Sequence, residues 1–299
     1  MRQRIIKAIS ILLMVAGIIV FLYPDIAALK QQHDTENYID EFEHMYPDSL
    51  QNETGDDNLQ DMPYQDLYNA ILEYNVKIYK DGQKDFKDAW CYTQTPINIE
   101  CLENDLFGYI EIPSMDVKLP LYIGASEANM AKGAAVMGQT SIPIGGINTN
   151  SVIAGHRGYG GSPYFKYIEN VKLGDYIYIT NPWGTLTYQA VEISIIDPYD
   201  SDAVKIREGK DLVTLLTCHP YASGGRYRYL IFCERVEDDS ENAPSLPVNW
   251  EEANKSFGDR QHSDDAILVE NILRRVGIFI IFLVIVYTVF HKKRNSVRS

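Results

Sequence analysis

Short apolar runs that alternate with turn-forming residues fill the chain between residues 106 and 236. The runs are rich in Val, Ile, Thr and Tyr and are bounded by Gly, Pro, Asn and Asp, which is typical of β-strands joined by turns. About six to eight strands of this kind, with short helices near residues 127–132 and 164–169, predict a mainly β fold built as a closed or nearly closed barrel. The runs are LFGYIEIPS, VKLPLYIG, NSVIAGHR, DYIYITNPWGTLTYQAVEISIIDP, LVTLLTC and RYRYLIFCERV.

A segment with the hydrophobic period of a helix precedes these strands. Apolar side chains recur at the spacing of one helix face through residues 64–80, and Asp81-Gly82 supplies a stop signal. Neither a helical nor a strand period holds from residue 90 to residue 104, which predicts an irregular loop. We therefore expect a helix and loop segment over residues 64–105, followed by a barrel domain over residues 106–240.

A strongly apolar segment lies near each end of the chain. Residues 9–23 follow a basic leader and are almost unbroken in apolar character. This length is close to the ~20 residues that cross a bilayer core, so residues 1–24 are predicted to be a membrane anchor. The alternative is a cleaved signal peptide, but Tyr23-Pro24 follows the run instead of a small-residue cleavage site.

The second apolar segment is VGIFIIFLVIVYTVF, residues 276–290. At a rise of ~1.5 Å per residue it falls short of a ~30 Å bilayer core, so the preceding residues and snorkelling arginines must complete the span. We predict a transmembrane helix over residues 271–291. A buried core helix is the alternative, although a helix that is apolar on every face and ends in basic residues suits lipid better.

Basic residues flank both predicted spans on their outer sides, which places both termini in the cytoplasm. The body between the spans then lies outside the cell and is tied to the cell membrane at two points. That body begins with an acidic spacer over residues 25–63 and ends with a linker over residues 241–270. Residues 292–299 form a cytoplasmic tail.

The net negative charge of the chain argues against a nucleic-acid partner. The formal net charge is −14, and we expect no nucleic-acid partner because no basic domain is present to release counterions from phosphate. Much of the acid lies in residues 34–61, which carry ten Asp or Glu and no Lys or Arg. This composition predicts a solvated spacer or a loosely packed helix.

Among the four cysteines, the sequence around Cys218 differs from the others. The four cysteines form no C-x-x-C pair and no Cys/His ladder, so no metal site is expected. Cys91 and Cys101 would close a small loop as a disulfide, which an extracellular location permits. Cys233 is predicted to be a packed strand residue. Cys218 follows the buried-strand pattern LVTLLT and precedes HPYASGG, a loop of small residues that leaves room for a substrate.

A thiol becomes a nucleophile where a base or a cation stabilises its thiolate. His156 also lies where an apolar strand meets a glycine-rich loop, 62 positions before Cys218. Such a pair of strand ends is the arrangement expected of a catalytic Cys and His, the alternative being a structural histidine. Arg226 and Arg228 begin the next strand, where a guanidinium could stabilise negative charge in acyl transfer. Because the two arginines share a face of the strand, alternation does not choose between them.

TLLTC followed by RYRYLIFCER resembles the T-L-x-T-C motif and downstream arginine of the sortases, membrane-tethered cysteine transpeptidases of Gram-positive bacteria. TSIPIGGINTNSVIAGHRG is similar to their histidine segment, and the resemblance covers residues 106–236. It implies a sortase-type barrel of about eight strands, with His156, Cys218 and Arg228 as the catalytic residues and no cofactor. The match of RYLIFCER favours Arg228, while Arg226 stays open.

A second span and a long segment before the barrel are similar to the class C sortases, which polymerise pilins. In that class an irregular lid places an Asp and an aromatic residue over the site. KDAWCY resembles this lid, with Asp88 and Trp90 in the two roles. Ala89 stands where a Pro is common, and Cys91 is unusual at its position, which leaves the rigidity of the lid open.

The resemblance implies cleavage of an LPXTG-like sorting signal between Thr and Gly through a thioacyl intermediate. An isopeptide bond to a pilin Lys would follow, so pilin subunits are the expected partners. A housekeeping sortase that joins surface proteins to cell-wall peptide is the first alternative. A papain-like cysteine hydrolase is disfavoured because its Cys precedes its His in the chain. A non-catalytic surface module with a structural cysteine is the third alternative.

Overall fold

Eight strands close into a barrel, which confirms the mainly β prediction. The computed structural model describes residues 2–47, 63–86, 92–236 and 260–296. The strands are β1 (Leu106–Ile112), β2 (Val117–Ile123), β3 (Ala134–Val136), β4 (Thr149–Ala154), β5 (Tyr176–Asn181), β6 (Gly184–Ile196), β7 (Asp211–His219) and β8 (Tyr227–Arg235). Around the barrel they run β1-β2-β3-β4-β7-β8-β6-β5, and β5 returns to β1.

Two strand pairs are parallel and bring distant parts of the chain side by side. β2 pairs with β3, and β4 pairs with β7 from Thr149 opposite Asp211 to Ala154 opposite Leu216. Since a hairpin cannot join parallel strands, the crossover from β4 to β7 is long and contains both β5 and β6. The carboxyl ends of β4 and β7 therefore open at the same end of the barrel.

β5 and β6 form the hairpin that the alternating pattern indicates, with Pro182 and Trp183 as its turn. The Trp183 ring packs at 5.1 Å between centroids against Tyr68, and its Nε1 donates to Pro63 O at 2.7 Å. Tyr68 belongs to α2 (Gln65–Lys80), the helix predicted before the barrel. The hairpin turn therefore holds this helix against the barrel.

Buried contacts fix α2 to the barrel. Ile71 is fully buried in the main core cluster. Asn75 Nδ2 donates to Ile142 O at 3.0 Å, and Ile142 N–H donates to Asn75 Oδ1 at 2.9 Å. The helix ends at Lys80 with Asp81 as its C-cap, and Gly82 follows at a φ of 63°, so the predicted stop signal is confirmed.

The short elements agree with the sequence pattern in part. α3 (Glu127–Met130) is the first of the two short helices predicted. The second, expected near residues 164–169, is replaced by turns and a 3-10 turn at Ile168–Asn170, because Tyr164 adopts a left-handed φ of 42° that interrupts a helix. The pattern does not predict β3, since Ala134–Val136 is too short to show alternation.

α1 (Arg2–Met45) is one helix that continues through Pro24. Its acidic second half, expected to be solvated or loosely packed, lies against β1 and β2 as far as Met45. Phe42 is 2% exposed, and its ring meets that of Tyr109 edge-on at 5.8 Å between centroids. An apolar face of α1 is therefore buried although acidic residues surround it in the sequence.

α4 (Arg260–Ser296) begins inside the predicted linker. Its Glu270 accepts hydrogen bonds from Lys166 Nζ at 2.9 Å and from Tyr221 OH at 2.5 Å. Lys166 lies between β4 and β5, and Tyr221 lies between β7 and β8. One carboxylate of α4 thus contacts both of the loops that follow the parallel strand ends.

Among the described residues, Met14–Met45 is the one stretch of helix that is long and apolar enough to cross a membrane. It lies near the N-terminus, where an anchor and a signal sequence look alike. The second predicted span lies in α4 and stays a prediction. Arg274 of α4 forms an ion pair with Asp25 of α1, just beyond the apolar run of residues 9–23.

Candidate active site

The two strand ends predicted to carry the site are adjacent. The β4–β7 ladder runs to Ala154 opposite Leu216, and Gly155 N–H adds a bond to Leu216 O at 3.1 Å. His156 and Cys218 each follow these last paired residues by two positions. The register therefore places His156 and Cys218 at the same level at one end of the barrel.

Alternation along β7 turns the side chain of Cys218 outward. Its neighbours Thr217 and His219 are each 1% exposed, whereas Cys218 is exposed. On β8, Cys233 is fully buried, and burial raises the pKa of its thiol well above the ordinary value. Of the two strand cysteines, Cys218 alone is accessible, in line with the sequence pattern.

Arg228 lies directly opposite Cys218 in the β7–β8 ladder. Its Nη1 donates to Gly225 O at 2.7 Å and to Tyr227 O at 3.1 Å, which folds the side chain back over the loop that follows Cys218. A Cβ built on Gly225 would lie 3.1 Å from Arg228 Nη1 and 3.2 Å from Cys218 Sγ. The guanidinium and the sulfur therefore border the same small space.

Arg226, the other arginine that the sequence leaves open, lies before the first residue of β8. It is in the loop and has no partner across the ladder. The register therefore favours Arg228 as the arginine beside the thiol.

His156 is half-buried between two tyrosine rings. Tyr159 stacks on the imidazole at 4.7 Å between centroids with an interplanar angle of 16°, and Tyr164 meets it edge-on at 6.3 Å. Burial lowers the pKa of His156 below its ordinary value, an effect that the charge of Glu127 partly opposes. Its Nε2 is buried and has no hydrogen-bond partner among the described residues.

The three predicted catalytic residues share one outer face of β4, β7 and β8. Ala154 lies opposite Leu216, and Leu216 lies opposite Leu230. Two positions nearer the same end of the barrel, which is later in the chain for β4 and β7 and earlier for the antiparallel β8, the side chains point to the same side again. These positions are His156, Cys218 and Arg228. The same face carries a cluster of apolar residues: Phe86, Met137, Val152, Ala154, Val204, Leu230 and Phe232.

A buried polar group behind the site is not predicted from the sequence. Arg157, 7% exposed, donates from Nη1 to Cys218 O at 3.1 Å, and its Nη2 donates to Glu169 Oε1 at 2.5 Å. His219 Nδ1 lies 3.3 Å from Arg157 Nη1 and 3.2 Å from Glu169 Oε1. Alternation indicates that Arg157 and His219 point inward, but no sequence signal identifies Glu169 as their partner.

The predicted lid and one half of the predicted disulfide lie outside the described residues, namely Asp88, Trp90 and Cys91. Cys101 is exposed, and its pairing with Cys91 stays a prediction. Within the described ranges, no group of three or more His, Cys, Asp or Glu side chains is placed to hold a metal ion.

Comparison with known proteins agrees with this arrangement. Residues 110–236 match the family model described as the sortase domain. Sortase D of Bacillus subtilis is 28% identical over 131 residues, covering 43% of this chain and 63% of that protein. Sortase A of Streptococcus agalactiae is 32% identical over 117 residues, covering 38% of this chain and 47% of that protein. The chain thus spans about half to two thirds of the length of these two relatives.

A solved structure extends the similarity beyond the barrel. The X-ray structure of sortase C from Clostridium perfringens SM101 is 32% identical with a TM-score of 0.52, and the match covers 67% of this chain and 99% of that one. The chain belongs to the sortase family, whose members are cysteine transpeptidases.

Proposed function

We propose that this protein is a membrane-anchored transpeptidase that cleaves an LPXTG-like sorting signal between Thr and Gly. The observation that carries the proposal is the shared outer face on which Cys218 lies opposite Arg228 and level with His156. These groups supply a nucleophile, a proton donor and a cation, which together suffice for acyl transfer. No cofactor takes part.

The proposed reaction has two steps. The Cys218 thiolate attacks the Thr carbonyl, and Arg228 stabilises the negative charge that develops on its oxygen. Protonated His156 gives its proton to the Gly amine as the Thr–Gly C–N bond breaks, leaving a thioester on Cys218. An amine then attacks the thioester, loses a proton to His156 and releases the thiolate. The new amide bond thus forms as the S–C bond breaks.

We further propose that the acceptor is a Lys amine on a pilin, as in class C sortases. The match to the Clostridium perfringens sortase C covers 67% of this chain, which is more than the barrel that the family model matches. The similarity therefore includes segments outside the catalytic barrel, where sortase classes differ. A housekeeping sortase acting on cell-wall peptide is the second candidate, because it would use the same catalytic residues.

A lid over the site is part of this proposal. Phe86 and Tyr92 flank the segment that contains Asp88 and Trp90, and their rings pack at 5.0 Å between centroids. Phe86 belongs to the apolar cluster on the face that carries the catalytic residues. Both ends of the segment therefore lie beside this face, which supports the proposal that Asp88 reaches toward Arg228 and that Trp90 covers Cys218.

The proposed location is the cell membrane, with the catalytic barrel outside the cell. The apolar part of α1 supports an anchor at residues 1–24. A second span over residues 271–291, with both termini in the cytoplasm, completes the topology that the basic flanks predict.

The decisive experiment supplies full-length protein in detergent micelles with an LPXTG peptide and detects products by mass spectrometry. We expect a Thr thioester on Cys218 and release of a peptide that begins with Gly. Replacement of Cys218 by Ala removes the nucleophile and should abolish both products. Equal cleavage by Cys218→Ala would contradict the proposal and favour a cysteine with a structural role.

The acceptor is tested in the same reaction by adding a pilin that carries the sorting signal and, separately, a cell-wall peptide amine. Formation of a Thr–Lys isopeptide bond with the pilin supports the class C assignment. Exclusive use of the cell-wall peptide would contradict it while leaving the transpeptidase chemistry intact.

A further inference from the structure

Side-chain hydrogen bonds extend the contact between the β4 and β7 strand ends beyond the last backbone rung. Thr217 Oγ1 donates to Gly155 O at 2.7 Å, and Arg157 Nη1 donates to Cys218 O at 3.1 Å. Gly155 and Arg157 are the two chain neighbours of His156, and both are bonded to the segment that carries Cys218. The position of His156 relative to Cys218 is therefore fixed from both sides.

The guanidinium of Arg157 is held in one orientation. Its Nη2 donates to Glu169 Oε1 at 2.5 Å, and the side chains of Arg157 and Glu169 are only 4% and 5% exposed. An ion pair this deeply buried adds little stability over apolar residues of equal volume, because both charges have lost their water. The planar guanidinium of Arg157, however, donates directional hydrogen bonds to two separate acceptors, which an apolar residue cannot do.

We propose that Arg157 is a positioning residue for the transfer reaction, oriented by Glu169. Its bond to the carbonyl of Cys218 sets the distance between the Cys218 sulfur and the imidazole of His156. Arg157 points inward, away from the outer face that holds the sulfur, so it does not contact the substrate. This inference rests on the proposed function and adds to it a residue that acts through Cys218.

The test measures kcat and KM for LPXTG peptide cleavage by full-length Arg157→Met in detergent micelles. Met keeps the length and apolar packing of the side chain but has no donor. We expect kcat to fall about 10- to 100-fold, because a displacement of the nucleophile by ~1 Å can cost a factor of this order. KM should change less than about 2-fold, because the outer face where the substrate binds is unaltered.

Matched variants separate positioning from stability. Arg157→Lys keeps the positive charge beside Glu169 but not the fork, and it should recover less than half of the lost kcat. Lys210→Met removes another cation–Glu pair, in which Nζ lies 2.6 Å from Glu234 Oε1, at the end of the β7–β8 ladder opposite to Cys218. This control should retain full kcat. Melting temperatures identify any variant whose loss of activity comes from unfolding.

Full kcat in a folded Arg157→Met protein would overturn the inference. If that variant does not fold, full kcat in Arg157→Lys would overturn it equally. Failure of the proposed function looks different, because the unaltered protein would then leave the peptide uncleaved. Loss of kcat in Arg157→Met with wild-type KM, against an unaltered kcat in Lys210→Met, supports Arg157 as a positioning residue.

Discussion

Cys218 and Arg228 are directly opposed residues in the antiparallel β7–β8 ladder. Opposed residues in such a ladder have their Cβ atoms about 4.5–5.5 Å apart, so a long guanidinium side chain can reach any group bound to the sulfur. The pairing follows from strand register and does not depend on the conformation of the loop between β7 and β8. It therefore distinguishes Arg228 from Arg226, which lies in the loop before β8.

Replacing each arginine in turn tests this distinction. Arg228→Ala should lower kcat/KM for the LPXTG peptide about 100-fold or more, the usual loss when a donor to a developing oxyanion is removed. Arg226→Ala should change it less than about 3-fold, because Arg226 lies before the ladder. Steady-state kinetics on both variants measure the two effects. A larger loss in Arg226→Ala would transfer the role to that residue.

Two neighbouring glycines allow a sharper test of the space beside the sulfur. Gly224 and Gly225 both have positive φ, 71° and 80°, so Ala at either position carries a similar backbone strain of about 1 kcal/mol. A Cβ on Gly224 meets nothing within 4 Å, whereas one on Gly225 meets Arg228 Nη1 and Cys218 Sγ. We expect similar losses of stability but a loss of kcat, by about 10-fold, in Gly225→Ala alone.

Melting temperatures and peptide cleavage rates of the two glycine variants provide the comparison. Equal kcat in both would show that the guanidinium and the sulfur do not need the space that Gly225 leaves open.

The pKa of His156 gives a prediction about pH. Burial lowers this pKa below 6.5, so NMR titration of the imidazole should show a midpoint below that value. Tyr159→Ala removes the stacked ring and should raise the midpoint toward 6.5, while Tyr199→Ala, at a tyrosine that is 92% exposed, should leave it unchanged. If the midpoint in Tyr159→Ala equals that of the unaltered protein, groups other than Tyr159 cause the desolvation of His156.

The same shift has a consequence for stability. Since the folded pKa is lower than the unfolded one, the unfolded chain binds the proton first as the pH falls. The contribution of His156 to the free energy of unfolding is therefore complete above pH 6.5 and decreases as the pH falls below it. His156→Gln should reduce this pH dependence in denaturation experiments.

The lid proposal predicts a change in thiol reactivity. Replacing Asp88 and Trp90 together by Ala should increase the rate at which iodoacetamide alkylates Cys218, because the lid would no longer cover the sulfur. Peptide mapping under reducing conditions measures this rate, and exposed Cys101 serves as an internal control that should not change. An unaltered rate at Cys218 would count against a gating role for these two residues.

Short apolar runs bounded by turn-forming residues predict most of the barrel, because its strands bury most of their side chains. β3 is missed since three small residues show no period. The acidic half of α1 is predicted as solvated or loosely packed because composition does not reveal that Phe42 lies on a buried face. Local patterns describe individual strands well, but they do not describe which strands pair.

In the candidate site, too, local patterns predict some residues, and others depend on strand pairing. Cys218 and His156 are identified because each ends a strand beside a glycine-rich loop, and the sortase resemblance joins them. Glu169 is not identified, because its role depends on Arg157 turning inward, which requires the pairing of β4 and β7. A residue such as Glu169, which orients another side chain, is identified only when the three-dimensional arrangement is known.

The parallel pairing of β4 with β7 determines when His156 and Cys218 come together during folding. Between these strands the chain must first traverse β5 and β6, and closing so long a loop delays their meeting during folding. A partly folded chain therefore has Cys218 without His156 beside it. Under the proposed mechanism, peptide transfer begins only in a molecule whose barrel is complete.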